Sequence, residues 1–502
     1  MSVGASHADA VREARHLSHQ RSDVARSDFE VLRRLCVGAG IGWAIVFVAA
    51  GLAFELQTYG DGSIFSYAVA ARDAWAFHWH NISGRLFVYL FSFVPAETYV
   101  ALTGDARGGI AAYGLLFFAP QALGLMITYA ADASPRHTFF TFACASTATL
   151  CPLVFGFPTE MWMAHALFWP ALTLCHCAPD RPSGRLAVAL VLLALLFTHA
   201  GALVFAAAIL LTLWLRGGAD HAFGRAAWSL AGAFAALMFV RARILPDDYF
   251  APVLRRAAWH VFDPNICIGR MVILIGVSLA GYGFLFAWFR RVFPARAHLH
   301  AALVVAGALA LYWLYAYNPV HAERRYYMRT MLVLFTPAFG AMAAALALQS
   351  AGLLRRRVPY LPALLSRLSS PQAARAATGA LALVTLIHAT ETAKFVTAWT
   401  QYRTALRALV TGSASDPALG DAAFVSSARL GPDLNRLAWF STTPYLSVLV
   451  AEHLRPTRLA IDPAGNYFWL SCATAANNAA ADNAIPRESR ALIRLYSCMH
   501  RD

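Results

Sequence analysis

Apolar residues run in blocks of about 20, the length needed to cross a hydrocarbon core as a helix, near residues 36–54, 84–103, 108–130, 137–157, 158–178, 186–215, 225–245, 271–289, 298–317, 328–350 and 378–397. The pattern predicts about eleven spans. Two blocks are irregular: the first is punctuated by Pro152, Gly156 and Pro158, and the second by Thr198-His199-Ala200-Gly201, so 137–215 has room for broken or re-entrant helices. The chain therefore divides into a polar N-terminal segment (1–35), a transmembrane region (36–398) and a C-terminal soluble domain (399–502).

Polar punctuation within the tail predicts its elements. Gly412 to Pro417 reads as a turn-rich linker, 422–426 and 458–461 as short strands, and Pro486 as the start of an amphipathic helix. A hundred residues of this kind suffice for a small α/β domain. The expected fold is thus a mainly α, polytopic membrane protein with a small α/β domain appended.

Composition agrees with that reading. Of 502 residues 59% are hydrophobic and 14% charged, against about 25% charged in ordinary soluble chains. The excess of 41 basic over 27 acidic residues needs no nucleic acid, because basic loops between apolar spans are what the positive-inside bias produces. Arg33 and Arg34, then Arg290, Arg291 and Arg296, then Arg355, Arg356, Arg357, Arg367 and Arg375 mark cytoplasmic loops. With an odd number of spans, 55–83, 246–270, 318–327 and the tail fall on the opposite face, taken as periplasmic across an inner membrane. In that compartment Cys472 and Cys498 either pair or stay as two thiols. Cys175-His176-Cys177 does not chelate one ion, since alternate helix positions diverge by about 200°.

Three places carry candidate chemistry. In the first outer loop Asp61 stands just before a helix predicted to lie along the membrane surface, with His80 and Arg85 following it. Asp61 is open to two readings, an ordinary N-cap or a general base for a hydroxyl. The late loop His321-Ala322-Glu323-Arg324-Arg325-Tyr326 places adjacent arginines on the outer side, against the positive-inside bias. Such a pair suits bidentate capture of a phosphate, or else an ion pair to Glu323 with snorkelling to headgroups. Glu160 interrupts an apolar block, where an ionisable side chain is costly and often functional unless Pro158 puts it in a loop. A buried, hydrogen-bonded role is expected for His199.

The order of these features resembles the GT-C membrane glycosyltransferases: an acid opening the first outer loop (Asp61), a following helix with Tyr67 and Ala71, many apolar helices, a late outer Glu-Arg-Arg-Tyr, and a C-terminal soluble domain. The resemblance implies transfer of a sugar from a polyprenyl-phosphate-linked donor to a lipid or glycan acceptor, with inversion at the anomeric carbon. It implies Asp61 as the base, and Arg324, Arg325 and Tyr326 as donor-binding residues, with His321, Glu323, His80, Arg85 and Glu160 as further substrate-binding candidates. Gly62 stands where many members carry a second acid, so neither metal nor other cofactor is implied. A lipid-linked glycan polymerase or ligase, and a lipid or glycan transporter, are the alternatives.

Overall fold

In a computed structural model, residues 3–72, 74, 82–151, 160–177, 182–199, 201–216, 232, 267–294, 296–316, 326–350, 365, 370–412, 424–439, 442–454, 456 and 458–461 are described. The architecture is mainly helical. Helices α1 (Val3–Ala53), α2 (Asp61–Ala71), α3 (Ile82–Val88), α4 (Val94–Thr103), α5 (Ala106–Phe118), α6 (Pro120–Ala131), α7 (Thr138–Leu150) and α8 (Met161–Cys177) form the first half. Helices α9 (Pro182–Leu196), α10 (Ala202–Arg216), α11 (Cys267–Val292), α12 (Ala297–Ala316), α13 (Tyr326–Ser350) and α14 (Pro371–Thr411) follow. Strand β1 (Phe424–Ser426), the short helices α15 (Pro432–Asn435) and α16 (Thr443–Val450), and strand β2 (Leu459–Ile461) complete the described chain.

Local chemistry sets these boundaries. Asp105 caps α5 by accepting the Gly108 N–H at 2.9 Å, and Ser370 caps α14 by accepting the Ala373 N–H at 3.2 Å. Proline occupies the first turn of α6 and α14, where its missing N–H costs nothing.

Among the described residues six segments are long and apolar enough to cross a bilayer: Ser27–Ala53, Arg85–Thr103, Ala106–Ala131, Val272–Val292, Met331–Ser350 and Pro371–Thr411. This is fewer than the eleven expected. The apolar blocks at 137–157 and 158–178 yield α7 and α8 of 13 and 17 residues, and 186–215 splits at His199 into α9 and α10 of 15 residues each. At 1.5 Å per residue a 13-residue helix covers about 20 Å, short of a hydrocarbon core of about 30 Å. The block at 225–245 lies outside the described residues. Outward-facing side chains such as Leu102, Leu279, Phe284 and Leu311, each more than 65% exposed, match a lipid-facing surface.

Contacts at both ends fix the register of the bundle. Arg375 pairs with Asp28 at 3.2 Å near the starts of α14 and α1, His388 meets Trp43 midway, and Trp399 donates to the Phe54 carbonyl at 2.9 Å near their ends. These two helices are therefore parallel; the end carrying Phe54 is called upper below. Helix α7 runs upward too, with Gly40 against Cys144 and His388 donating to the Thr149 carbonyl at 2.8 Å. Helix α8 runs downward, from Trp162 against Phe47 to His176 against Phe139.

Helix α13 also descends. Its Phe339 and Gly340 meet Phe142, Phe168 and Leu172 in the lower half, and Leu348 packs on Leu365. Ser370, at the bottom of α14, is five residue steps from Leu365, a reach of at most about 18 Å. An ascending α13 would place Leu348 more than about 30 Å from that point at helical rise. Descending, it starts about 21 Å above Gly340, so Tyr326 opens the helix close to the level of Ala53.

The described part of the tail packs on the bundle. Helix α14 continues through the expected 398/399 boundary to Thr411. Strands β1 and β2 do form where expected, pairing in parallel with Val425 opposite Ala460. They and α16 bury Val425, Tyr445, Leu446 and Leu459 in the same core as Phe47, Tyr113 and Trp162 of the bundle. The 413–417 part of the linker, Cys472, Cys498 and the helix expected after Pro486 lie outside the described residues.

Candidate functional site

The connection from α1 to α2 is tight. Glu55 takes a positive φ of 50°, a 3-10 turn covers Leu56–Thr58, and Gly60 precedes α2 at φ 58°, ψ −133°, a conformation suited to glycine. Gly60 thus occupies the N-cap position, and Asp61 is the first residue of the helix proper. The expected N-cap role for Asp61 is corrected accordingly. Its carboxylate instead sits in the first turn, where the positive end of the helix dipole favours negative charge.

The helix that follows was expected on the membrane surface and is buried. Gly62, Ser63, Phe65, Ser66, Tyr67, Ala68 and Val69 are covered. The Ser63 hydroxyl reaches the Thr442 carbonyl at 3.1 Å and Tyr67 packs on Tyr445, so the tail forms its roof. On the other side Gly109 allows α5 to approach: a Cβ there would meet Val100 at 2.1 Å and also touch Val69. Asp61 itself remains only partly covered at the edge of this packing.

Arg85 and Glu160, 75 positions apart, meet here. Arg85 breaks the helical dihedrals of α3 with φ −133° and ψ 22°, and a π-helical turn, Tyr89–Phe93, follows. Its Nη1 donates to Glu160 Oε1 at 2.6 Å, with Glu160 only 3% exposed. Glu160 precedes α8, and its carbonyl accepts the Ala164 N–H at 3.0 Å. Glu160 is thus a buried ion-pair partner rather than a solvated loop residue.

Asp61, Glu160 and Arg85 all lie within electrostatic reach of the Tyr113 phenol on α5. Tyr113 is fully buried between Phe93 and Phe117, at centroid separations of 5.0 and 5.6 Å. Its hydroxyl has no hydrogen-bond partner among the described residues. Neither do Gln57 Oε1, Ser92 Oγ and Trp162 Nε1, all on residues at most 2% exposed. Gln57 lies against Gly114, next to Tyr113, and Trp162 packs on Phe117.

Of the residues singled out from the sequence, the fold pairs Arg85 with Glu160, and Asp61 lies with them within electrostatic reach of Tyr113. The backbone of Tyr326 opens α13 at the same upper end. The side chain of Tyr326, and His80, His321, Glu323, Arg324 and Arg325, lie outside the described set. Tyr113 and Gln57 were not singled out. A tyrosine on an apolar helix reads as core, although the glycines at 108, 109 and 114 flanking it signalled a close helix approach.

A second polar cluster lies in the bundle. His165 Nε2 bonds Ser146 Oγ at 2.8 Å, its Nδ1 faces Gln121 Oε1 at 3.2 Å, and Gln121 donates to the Trp162 carbonyl at 2.8 Å. With every member buried, this network holds α6, α7 and α8 together and ties them to the start of α8. His199 accepts the Gly201 N–H at 2.9 Å, and His176 bonds Thr212 at 3.0 Å.

The upper end therefore carries a partly exposed carboxylate on α2, a buried ion pair between α3 and the start of α8, and buried polar groups without partners among the described residues. No protein-family model, curated protein or solved structure matches this chain.

Proposed function

We propose that the protein is a GT-C-type membrane glycosyltransferase, moving a sugar from a polyprenyl-phosphate-linked donor to a lipid or glycan hydroxyl at the periplasmic face of an inner membrane. Asp61 takes the proton of the acceptor hydroxyl. The freed oxygen attacks the anomeric carbon as its bond to the phosphate oxygen breaks, which inverts that centre and releases polyprenyl phosphate. Arg324 and Arg325 hold the departing phosphate, with Tyr326 beside it. Arg85, held in place by Glu160, presents its remaining guanidinium N–H groups as a further contact for the substrate.

The supporting observation is the convergence of Asp61, Arg85 and Glu160 around the buried Tyr113 at the end of the bundle where α13 begins. Acidic and basic groups separated by up to a hundred residues have no need to meet in lipid unless something polar is handled there.

The test is Asp61→Asn, assayed in purified membranes with a radiolabelled polyprenyl-phosphate sugar. Transfer into the lipid or glycan fraction falls at least about 100-fold, the range for loss of a general base, while the variant keeps the wild-type melting temperature. Full transfer by Asp61→Asn would remove Asp61 from the mechanism and favour a polymerase or ligase needing no acidic base. Movement of labelled lipid across the bilayer with no new glycosidic bond would favour transport.

A further inference from the structure

We propose that Tyr113, Gln57, Ser92 and Trp162 form a binding subsite for the hydroxyl groups of a sugar ring beside Asp61. The subsite rests on the glycosyltransferase reading for its place in a reaction, but the packing argues for it independently. Four polar atoms on three helices and a turn, each on a side chain at least 98% buried, lack a partner among the described residues. One orphaned buried group costs about 1–3 kcal/mol, and native interiors hold few of them. Others occur elsewhere, at Thr173 and Thr336 for example, but Gln57 against Gly114 and Trp162 against Phe117 bring two to the helix that carries Tyr113.

The character of the groups selects the ligand. The Trp162 indole N–H only donates, the Gln57 side-chain carbonyl only accepts, and the Tyr113 and Ser92 hydroxyls do either. A fully ionised phosphate accepts bonds but cannot satisfy the Gln57 carbonyl. A ring bearing several hydroxyls, each both donor and acceptor, satisfies the whole set. The aromatic rings of Phe93, Phe117 and Trp162 around Tyr113 supply apolar faces for its C–H surface. Ser92 belongs to the π-helical turn Tyr89–Phe93, a feature that concentrates at functional sites, next to the Phe93 ring that packs on Tyr113.

The Tyr113→Phe variant tests this, because it removes one oxygen and keeps the ring. Purified full-length protein in phosphatidylcholine nanodiscs is titrated with short-chain alkyl gluco-, galacto- and mannosides and, separately, with dodecyl phosphate, following Trp fluorescence and melting temperature. At least one glycoside binds wild type, and Tyr113→Phe and Ser92→Ala each weaken it roughly 3- to 10-fold, the worth of one neutral hydrogen bond. Without ligand, Tyr113→Phe melts no lower than wild type, since the hydroxyl it loses had no partner to hold.

Equal glycoside binding by wild type and Tyr113→Phe, binding of dodecyl phosphate alone, or a lower melting temperature for unliganded Tyr113→Phe would each overturn the subsite. The two readings fail separately. Loss of transfer in Asp61→Asn with glycoside binding indifferent to Tyr113 removes only the subsite. Tyr113-dependent glycoside binding by a protein that transfers nothing removes only the transferase.

Discussion

Burying Glu160 to 3% exposure is tolerable only because Arg85 meets it at 2.6 Å. A lone charge at that depth would pay several kcal/mol of desolvation, whereas a buried pair roughly breaks even against well-packed apolar groups. Arg85→Met should therefore cost about 3–5 kcal/mol by leaving Glu160 unpaired, seen as a much lower melting temperature in detergent. The double variant Arg85→Met with Glu160→Leu should recover most of that loss while transfer stays impaired, because the guanidinium donors proposed to contact substrate are gone. Equal melting of single and double variants would show that the pair carries no stability of its own. The sequence announced Glu160 by its isolation in an apolar block, and Arg85 by its place after the first outer loop. It could not announce their pairing, since nothing local relates positions 75 apart.

Helix contacts obey a simpler rule, the presence or absence of a Cβ. At Gly40 on α1 an added Cβ would lie 2.5 Å from the Cα and carbonyl oxygen of Cys144, and at Gly124 on α6 it would lie 2.4 Å from the Ala166 carbonyl. These are backbone atoms and cannot swing aside, so the two glycines set how closely α7 approaches α1 and α8 approaches α6. At Gly38 and Gly42, on either side of Gly40, nothing lies within 4 Å. Gly42→Ala should thus leave melting unchanged or raise it by the helix-propensity gain of up to about 1 kcal/mol, while Gly40→Val should abolish a monodisperse folded species in size-exclusion chromatography. Like behaviour of the two variants would mean α1 and α7 are not packed as described. Hydrophobic blocks made the helices legible, and alternating segments made β1 and β2 legible to within two residues. The short helices α7 and α8 and the break at His199 reduced what the block pattern counted as spans, because apolarity marks burial without saying whether lipid or protein supplies it. The same ambiguity hid the burial of α2, whose spacing fits a lipid interface as well as the roof that α16 provides.

The bundle's largest consequence is topological. Helices α1 and α14 run parallel, tied by Asp28–Arg375 below and by Phe54, Glu55, Trp399 and Arg403 above. A helix of 41 residues is about 60 Å long, twice a hydrocarbon core of about 30 Å, so α14 carries its upper turns beyond the apolar layer. The tail then folds back onto α14 and α5, with Arg458 N–H donating to the Val410 carbonyl at 3.2 Å and Arg107 to the Ala451 carbonyl at 2.6 Å. Arg72 and Asp433 are therefore expected on one face of the membrane, and Arg34 and Gln372 on the other. Of the described cysteines Cys36, Cys144, Cys151 and Cys175 are buried and Cys177 is half-buried, so the labelling background is a chain in which Cys177, Cys267, Cys472 and Cys498 are replaced by serine. In that background, single cysteines at the exposed positions Arg72, Asp433, Arg34 and Gln372 should react with an impermeant maleimide as two pairs. With the orientation expected from the basic loops, Arg72→Cys and Asp433→Cys label in intact spheroplasts, and Arg34→Cys and Gln372→Cys only after permeabilisation. The inverse pattern would overturn the orientation and leave the fold intact. Any other pairing would separate the tail from the first loop, and with it the enclosure of Asp61 on which the proposed site depends.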